Sequence, residues 1–309
     1  MTTTRQRATQ PTAGGLASSP AGSTGADDAH PTTTATLQLP GARLYYEVYG
    51  RGPVLLLIPG GPADAGVFAE LAGFLADRYT VVAYDPRGNS RSVADGPPQD
   101  QQLDVHGDDA ARLAAAVAGE PAYVLGSSGG AQIGLNLAAR HPQQVHTLVA
   151  HEPPCVALLS DAAQQRAAMQ QVVDSYRRAG VGPGMQRFGE VVGISGGPGP
   201  VSQHLAGGGE ITEPAPAMFG RIMGNLDFFL GHGVGPITSY VPDIAALRAG
   251  PVKVVAGIGE SSAGQLAHRG AVALAERFGT DPVVFPGDHS GFSSLPEAFA
   301  GALDTVLRG

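Results

Sequence analysis

The chain has 309 residues, 43% of them apolar, and sets 19 Lys and Arg against 27 Asp and Glu for a formal net charge of -8. That acidic balance, with no dense run of Lys or Arg, leaves nothing to neutralise phosphates and argues against nucleic acid as a partner. Cys155 is the only cysteine, which excludes an internal disulfide and a cysteine-based zinc cage; no apolar run approaches the roughly 18 residues of a spanning helix, and the first 20 residues lack the apolar core of a signal peptide. The expectation is a soluble, cytoplasmic protein that meets a small-molecule substrate and no membrane, with a homodimer left open.

From residue 1 to 35 the sequence is Thr, Ala, Gly, Ser and Pro with scattered charge, too poor in large apolar side chains to order itself, and reads as a disordered tail. Order is expected from "TLQLPGARLYYEVYG", two alternating runs about Pro40 and Gly41 that form a hairpin. The near-continuous apolar run "PVLLLIPGG" then reads as a buried central strand. Val67, Leu71, Phe74 and Leu75 follow with helical spacing, and "YTVVAYD" is the next strand. The same alternation recurs through "AYVLG", "VHTLVAH", "PVKVVAGIGE" and "PVVFPG", which implies a parallel sheet with helices on both faces. Between about 154 and 249 helical patterns occur with no strand between them, as expected of a helical cap inserted in the core. Inside it, "ISGGPGPVSQHLAGGGEITEPAP" is a long Gly- and Pro-rich stretch, read as a lid or a disordered loop.

The strongest local signal is Gly126-Ser127-Ser128-Gly129-Gly130 between a strand and a helix. A serine at such a turn takes a strained backbone, small neighbours are required around it, and the following helix points its positive dipole end at charge developing during acyl transfer. A Gly- and Ser-rich turn without chemistry is the plainer reading of the pentapeptide taken alone.

Four motifs in order resemble those of the α/β-hydrolase superfamily: "IPGGPADAG" its oxyanion loop, "YDPRGNSRS" its D-x-R-G-x-G-x-S turn, "LGSSGGA" its nucleophile elbow and "FPGDHSGF" its histidine loop. The resemblance covers nearly all of the chain from about residue 36. It implies an α/β fold with a mostly parallel, eight-stranded sheet and helices on both faces. Residues 36–153 and 250–309 would form the core, and 154–249 the helical cap.

It also implies roles. Ser128 is the expected nucleophile, His289 the general base, and the backbone N–H groups of Gly61 and Gly129 the oxyanion hole. For the triad acid Glu260, at the end of the strand after the cap, is favoured over the alternative Glu152, at the end of the preceding core strand. Asp288 is read as stabilising its loop, and Asp85 and Arg87 as a structural turn pair. Pro59 stands where the family usually has His, which bears on the loop's conformation. His151 and His232 are kept as pocket candidates; the other histidines are read as structural or surface residues.

Phe219, Met223, Phe228 and Phe229 are the expected substrate-binding residues, with Met185, Phe188, Met218 and Tyr240 adding to an apolar cap. The reaction expected is hydrolysis of a small, largely apolar ester, lactone or thioester through an acyl-enzyme, with no metal and no organic cofactor. Alternatives are a peptidase or amidase of the proline iminopeptidase type, using cap acids such as Glu190, Glu210, Glu213 and Asp227, another chemistry on the same fold (a C–C hydrolase, a lyase or a cofactor-free oxygenase), and a ligand receptor without turnover.

Overall fold

A computed structural model describes residues 31, 33–194 and 215–309. The expected hairpin is present as β1 (Thr33–Leu39) and β2 (Ala42–Gly50), antiparallel across a turn in which Gly41 has φ 73°. Its first strand starts inside the stretch expected to be disordered, pairing Thr33 with Val48 and Ala35 with Tyr46, so the ordered fold begins two to three residues earlier than composition suggests. Residues 1–30 lie outside the described residues.

The remaining strands are β3 (Val54–Ile58), β4 (Thr80–Tyr84), β5 (Val93–Ala94), β6 (Ala122–Ser127), β7 (Val145–His151), β8 (Lys253–Gly259) and β9 (Val283–Phe285). They form one sheet in the order β1-β2-β4-β3-β6-β7-β8-β9, parallel from β4 onward, with β5 paired to β2. Eight strands make the continuous path; the two residues of β5 are too few to leave a periodic signal. Val54–Ile58 is buried throughout because helices cover both faces, which is why its sequence is uniformly apolar.

One face packs Leu56, Ile58, Val82, Val124, Leu135, Leu148 and their neighbours beneath α2 (Leu103–Val117) and α3 (Gly129–Arg140). The other packs Leu55, Leu57, Val81, Leu125, Val149, Phe285 and Phe299 against α1 (Ala69–Leu75) and the C-terminal helix Pro296–Arg308.

Between β7 and β8 the described residues contain helices and no strand: α4 (Ala162–Ala179), α5 (Val181–Val192), α6 (Ala215–Phe228), a π-helical turn (Phe229–Gly233), α7 (Val234–Ser239) and α8 (Ile244–Ala249). Met169, Val172, Val173, Phe229, Leu230 and Val234 pack these helices together, with Val156 and Leu266 in the same cluster. α8 belongs elsewhere. Its Leu247, 3% exposed, packs in the sheet core, so this helix is the crossover into β8. The long Gly- and Pro-rich stretch lies almost wholly outside the described residues. No helix among the described residues is long and apolar enough to cross a membrane.

Candidate active site

Parallel strands all end on one edge, and the loops that leave that edge carry the chemistry. β6 ends at Ser127, and Ser128 turns the chain directly into α3 with φ 56° and ψ -122°. For a non-glycine residue this left-handed conformation costs roughly 1–3 kcal/mol. The turn is possible because its neighbours have no side chains. A Cβ at Gly126 would lie 2.4 Å from the Gly130 carbonyl oxygen, and one at Gly130 2.1 Å from that of Ile58. Gly60 is equally constrained from the facing loop, where a Cβ would fall 2.5 Å from the Ser127 oxygen. Within the run from Val124 to Ala138, Ser128 alone is half-buried and the rest are buried.

Gly61 follows with φ 55°, and its amide nitrogen faces the elbow, 3.5 Å from where a Cβ on Gly129 would stand. The two predicted oxyanion donors are thus adjacent, Gly129 at the first turn of α3 and Gly61 on the opposing loop.

His289, in the loop after β9, is one-fifth exposed and bonds through Nδ1 to Glu152 Oε2 at 2.6 Å. The carboxylate on the histidine is therefore Glu152, and the preference for Glu260 is corrected. Glu260 follows β8 by one residue, its N–H is tied to the Phe285 carbonyl at 3.0 Å, and the residue is exposed. Glu152 is fully buried. It follows β7 in a left-handed conformation, φ 48°, with its own N–H bonded to the Gly257 carbonyl at 2.9 Å, and this turn directs the side chain across the end of β8. There Oε1 accepts from the Gly259 N–H at 2.8 Å and from the Ser262 hydroxyl. Burial alone would push the Glu152 carboxyl up, but the hydrogen bond and charge of His289, aided by Ser262, bring it down to about 2. It stays ionised and accepts from His289 Nδ1. Among the described residues no hydrogen bond joins the Ser128 hydroxyl to the His289 ring; they are linked through the strand ends, since the Ser128 N–H donates to the His151 carbonyl at 2.9 Å and Glu152 follows His151.

His151 itself is no pocket residue. Its ring is fully buried among Phe285, Phe292 and Phe299, 6.4 Å from the His289 ring. His232 sits at the surface on Asp100, 3.0 Å away. Asp288 accepts from the Ser290 N–H at 2.8 Å, as a loop-stabilising residue should. Asp85 and Arg87 each make structural contacts, with different partners. Asp85 holds Arg91 and accepts from the Ala65 N–H at the oxyanion loop, while Arg87 forks onto Asp109 in α2.

The cap meets the site differently from the sequence reading. Phe229 lies over Gly61, its Cε2 3.6 Å from a Cβ built there, and Phe228 covers Gly88. Met223 is 41% exposed, and Phe219 is half-buried on the same helix. Ile237 on α7, unremarked in the sequence, stands beside Gly129, 3.2 Å from a Cβ built there. Two polar cap residues were also missed. Asn225 donates to the Pro62 carbonyl and the Ser90 hydroxyl and accepts from the Ser90 N–H, all at 2.8 Å, and Arg221 binds Asp64 at 2.6 Å. Among the candidate cap acids, Glu190 pairs with Arg187 at the surface and Asp227 accepts from Tyr176, while Glu210 and Glu213 lie outside the described residues. No group of three His, Cys, Asp or Glu side chains among the described residues is arranged to hold a metal ion.

Comparison with known proteins agrees with the fold. A family model described as alpha/beta hydrolase fold matches residues 53–191. "Uncharacterized hydrolase YraK" of Bacillus subtilis (strain 168) is 37% identical over 280 residues, covering 88% of this chain and 95% of the relative. The chain belongs to the alpha/beta hydrolase family. Two solved structures share the fold: the enol-lactonase of Burkholderia xenovorans LB400 (TM-score 0.69, 16% identity, 89% of this chain and 100% of that one) and a thermophilic esterase of Thermogutta terrifontis (TM-score 0.67, 18% identity, 90% and 98%).

Proposed function

We propose that this member of the hydrolase family cleaves small, largely apolar esters, lactones or thioesters through an acyl-enzyme on Ser128, with His289 and Glu152 completing the triad. The observation that carries the reading is the bond from His289 Nδ1 to a buried, ionised Glu152 at the sheet edge where the strained Ser128 emerges. Ser128 Oγ attacks the carbonyl carbon while its proton passes to His289 Nε2, and the carbonyl oxygen takes the negative charge between the Gly61 and Gly129 N–H groups. The imidazolium, stabilised by Glu152, then returns that proton to the leaving oxygen or sulfur as its bond to carbon breaks. Water attacks the acyl-enzyme with His289 again as base, the acid leaves, and Ser128 regains its proton.

The apolar preference is supported by Phe229, Ile237 and Phe228, the cap side chains that cover the glycines of the site. Ester rather than amine-directed peptide chemistry is supported by the engagement of Glu190 and Asp227 with Arg187 and Tyr176. The relative from B. subtilis carries hydrolase in its name, in accord with this reading.

The test is a panel of p-nitrophenyl esters beside aminoacyl p-nitroanilides, including that of proline. Turnover of short-chain esters, with the anilides untouched, is expected. Cleavage of the prolyl anilide in preference to every ester would replace an esterase with a peptidase.

A further inference from the structure

Beside the two oxyanion amides lies a small cavity bordered by Gly61 and Gly129, by Ile133 of α3 and Ile237 of the cap, and by Asn89 and His106. Its free volume is about 10 Å³, the room of one water-sized group. Two of its polar borders are deeply buried, Asn89 at 1% and His106 at 3% exposure, while the third, Gln101, is half-buried. The Asn89 amide has one possible orientation, because its Nδ2 donates to the Gly61 and Ala63 carbonyls at 3.2 and 3.1 Å. Oδ1 is thereby left as a buried acceptor with no partner among the described residues, and His106 Nδ1 is likewise unpartnered among them. Burial, with a smaller effect from Arg87, holds the His106 imidazole down to about 4, so the ring is neutral and offers one N–H and one lone pair.

We propose that this cavity is an acyl-side subsite for a hydroxyl group, so that the favoured substrates are esters of short, apolar hydroxy acids. A hydroxyl can donate to Asn89 Oδ1 and accept from the imidazole, which neither a methyl nor an ether oxygen can do in full. An ammonium group is disfavoured because no carboxylate among the described residues borders the cavity, and a substrate carboxylate would face the Asn89 oxygen. The contact with Gly61 and Gly129 places the subsite next to the reacting carbonyl, and Ile133 and Ile237 require the chain that carries the hydroxyl to be apolar. A site built to hydrogen-bond a substrate hydroxyl discriminates strongly against analogues without it, because its buried polar groups are then left unpaired. The proposal rests on the acyl-enzyme reading above.

The test compares kcat/KM for p-nitrophenyl butanoate, its 2-hydroxy and 3-hydroxy derivatives, and the corresponding methyl ethers, which match the inductive effect without the donor. In the wild type we expect a preference of roughly tenfold or more for one hydroxy ester over its methoxy partner. That ratio should fall toward one in His106→Leu, which removes a polar border, and also in Ile133→Phe, which fills the cavity and leaves both polar groups in place. Turnover of all the esters with hydroxy-to-methoxy ratios near one would overturn the proposal and leave the cavity as a site for bound water only. A wild type that turns over no ester and takes no fluorophosphonate label would remove the acyl-enzyme reading, and the subsite with it.

Discussion

Glu152 decides how the histidine works. Its carboxylate is buried, accepts from two donors besides His289, and bonds the imidazole at Nδ1. Glu152→Gln preserves the shape but presents an amide that can donate to the ring, favouring the wrong tautomer and leaving the imidazolium without its counter-charge. A loss of roughly four orders of magnitude in kcat for a p-nitrophenyl ester is expected. The exposed Glu260→Gln should stay within about twofold of wild type in the same assay. Equal losses in the two variants would contradict this assignment. The sequence could not separate these acids, because both end core strands and both are followed by a turn. What separates them is the left-handed backbone at Glu152, where an ordinary side chain stands in a conformation glycine would suggest. Ser128 was legible for the opposite reason, since the glycines that its turn demands are written beside it.

At the scale of elements, the oxyanion loop is held from two sides. The core holds it through Asn89 and Asp85, and the cap helix α6 reaches down through Asn225 to Pro62 and Ser90 and through Arg221 to Asp64. Asn225 is 5% exposed, so removing its amide strands the Ser90 N–H and the Pro62 carbonyl without partners. Asn225→Leu should therefore lower kcat roughly tenfold to a hundredfold by displacing the Gly61 amide, with a smaller change in KM. A rise in KM at unchanged kcat would show that α6 acts on substrate binding alone. This coupling was invisible in the sequence, where the apolar face of the helix drew attention and its two polar contacts, 135 to 163 residues away for Asn225 and 157 for Arg221, left no pattern. The strand and helix alternation was legible because parallel strands buried on both faces must be apolar throughout.

Across the whole molecule, the fold keeps two imidazoles neutral. Burial pushes both His106 and His151 down from 6.5 to about 4, the first in α2 near Gly61 and the second next to Glu152. Unfolding between those pH values takes up about two protons, so their effect is absent above pH 6.5 and stability falls progressively as the pH drops toward 4. Glu152, lowered from 4.5 to about 2, adds stability that is fully present above pH 4.5 and is lost as the pH falls to 2. Denaturant melts at pH 7.5 and 5 should show this loss, and His151→Phe should reduce the proton uptake by about one. A pH-independent midpoint over that range would mean that the rings are not held neutral.

The sheet, the elbow and the cap together exist, on this account, to make one hydroxyl nucleophilic. Intact-mass analysis after exposure to a fluorophosphonate probe tests that claim most directly. Wild type should gain a single adduct and Ser128→Ala none; an unlabelled wild type, or equal labelling of the alanine variant, would contradict it.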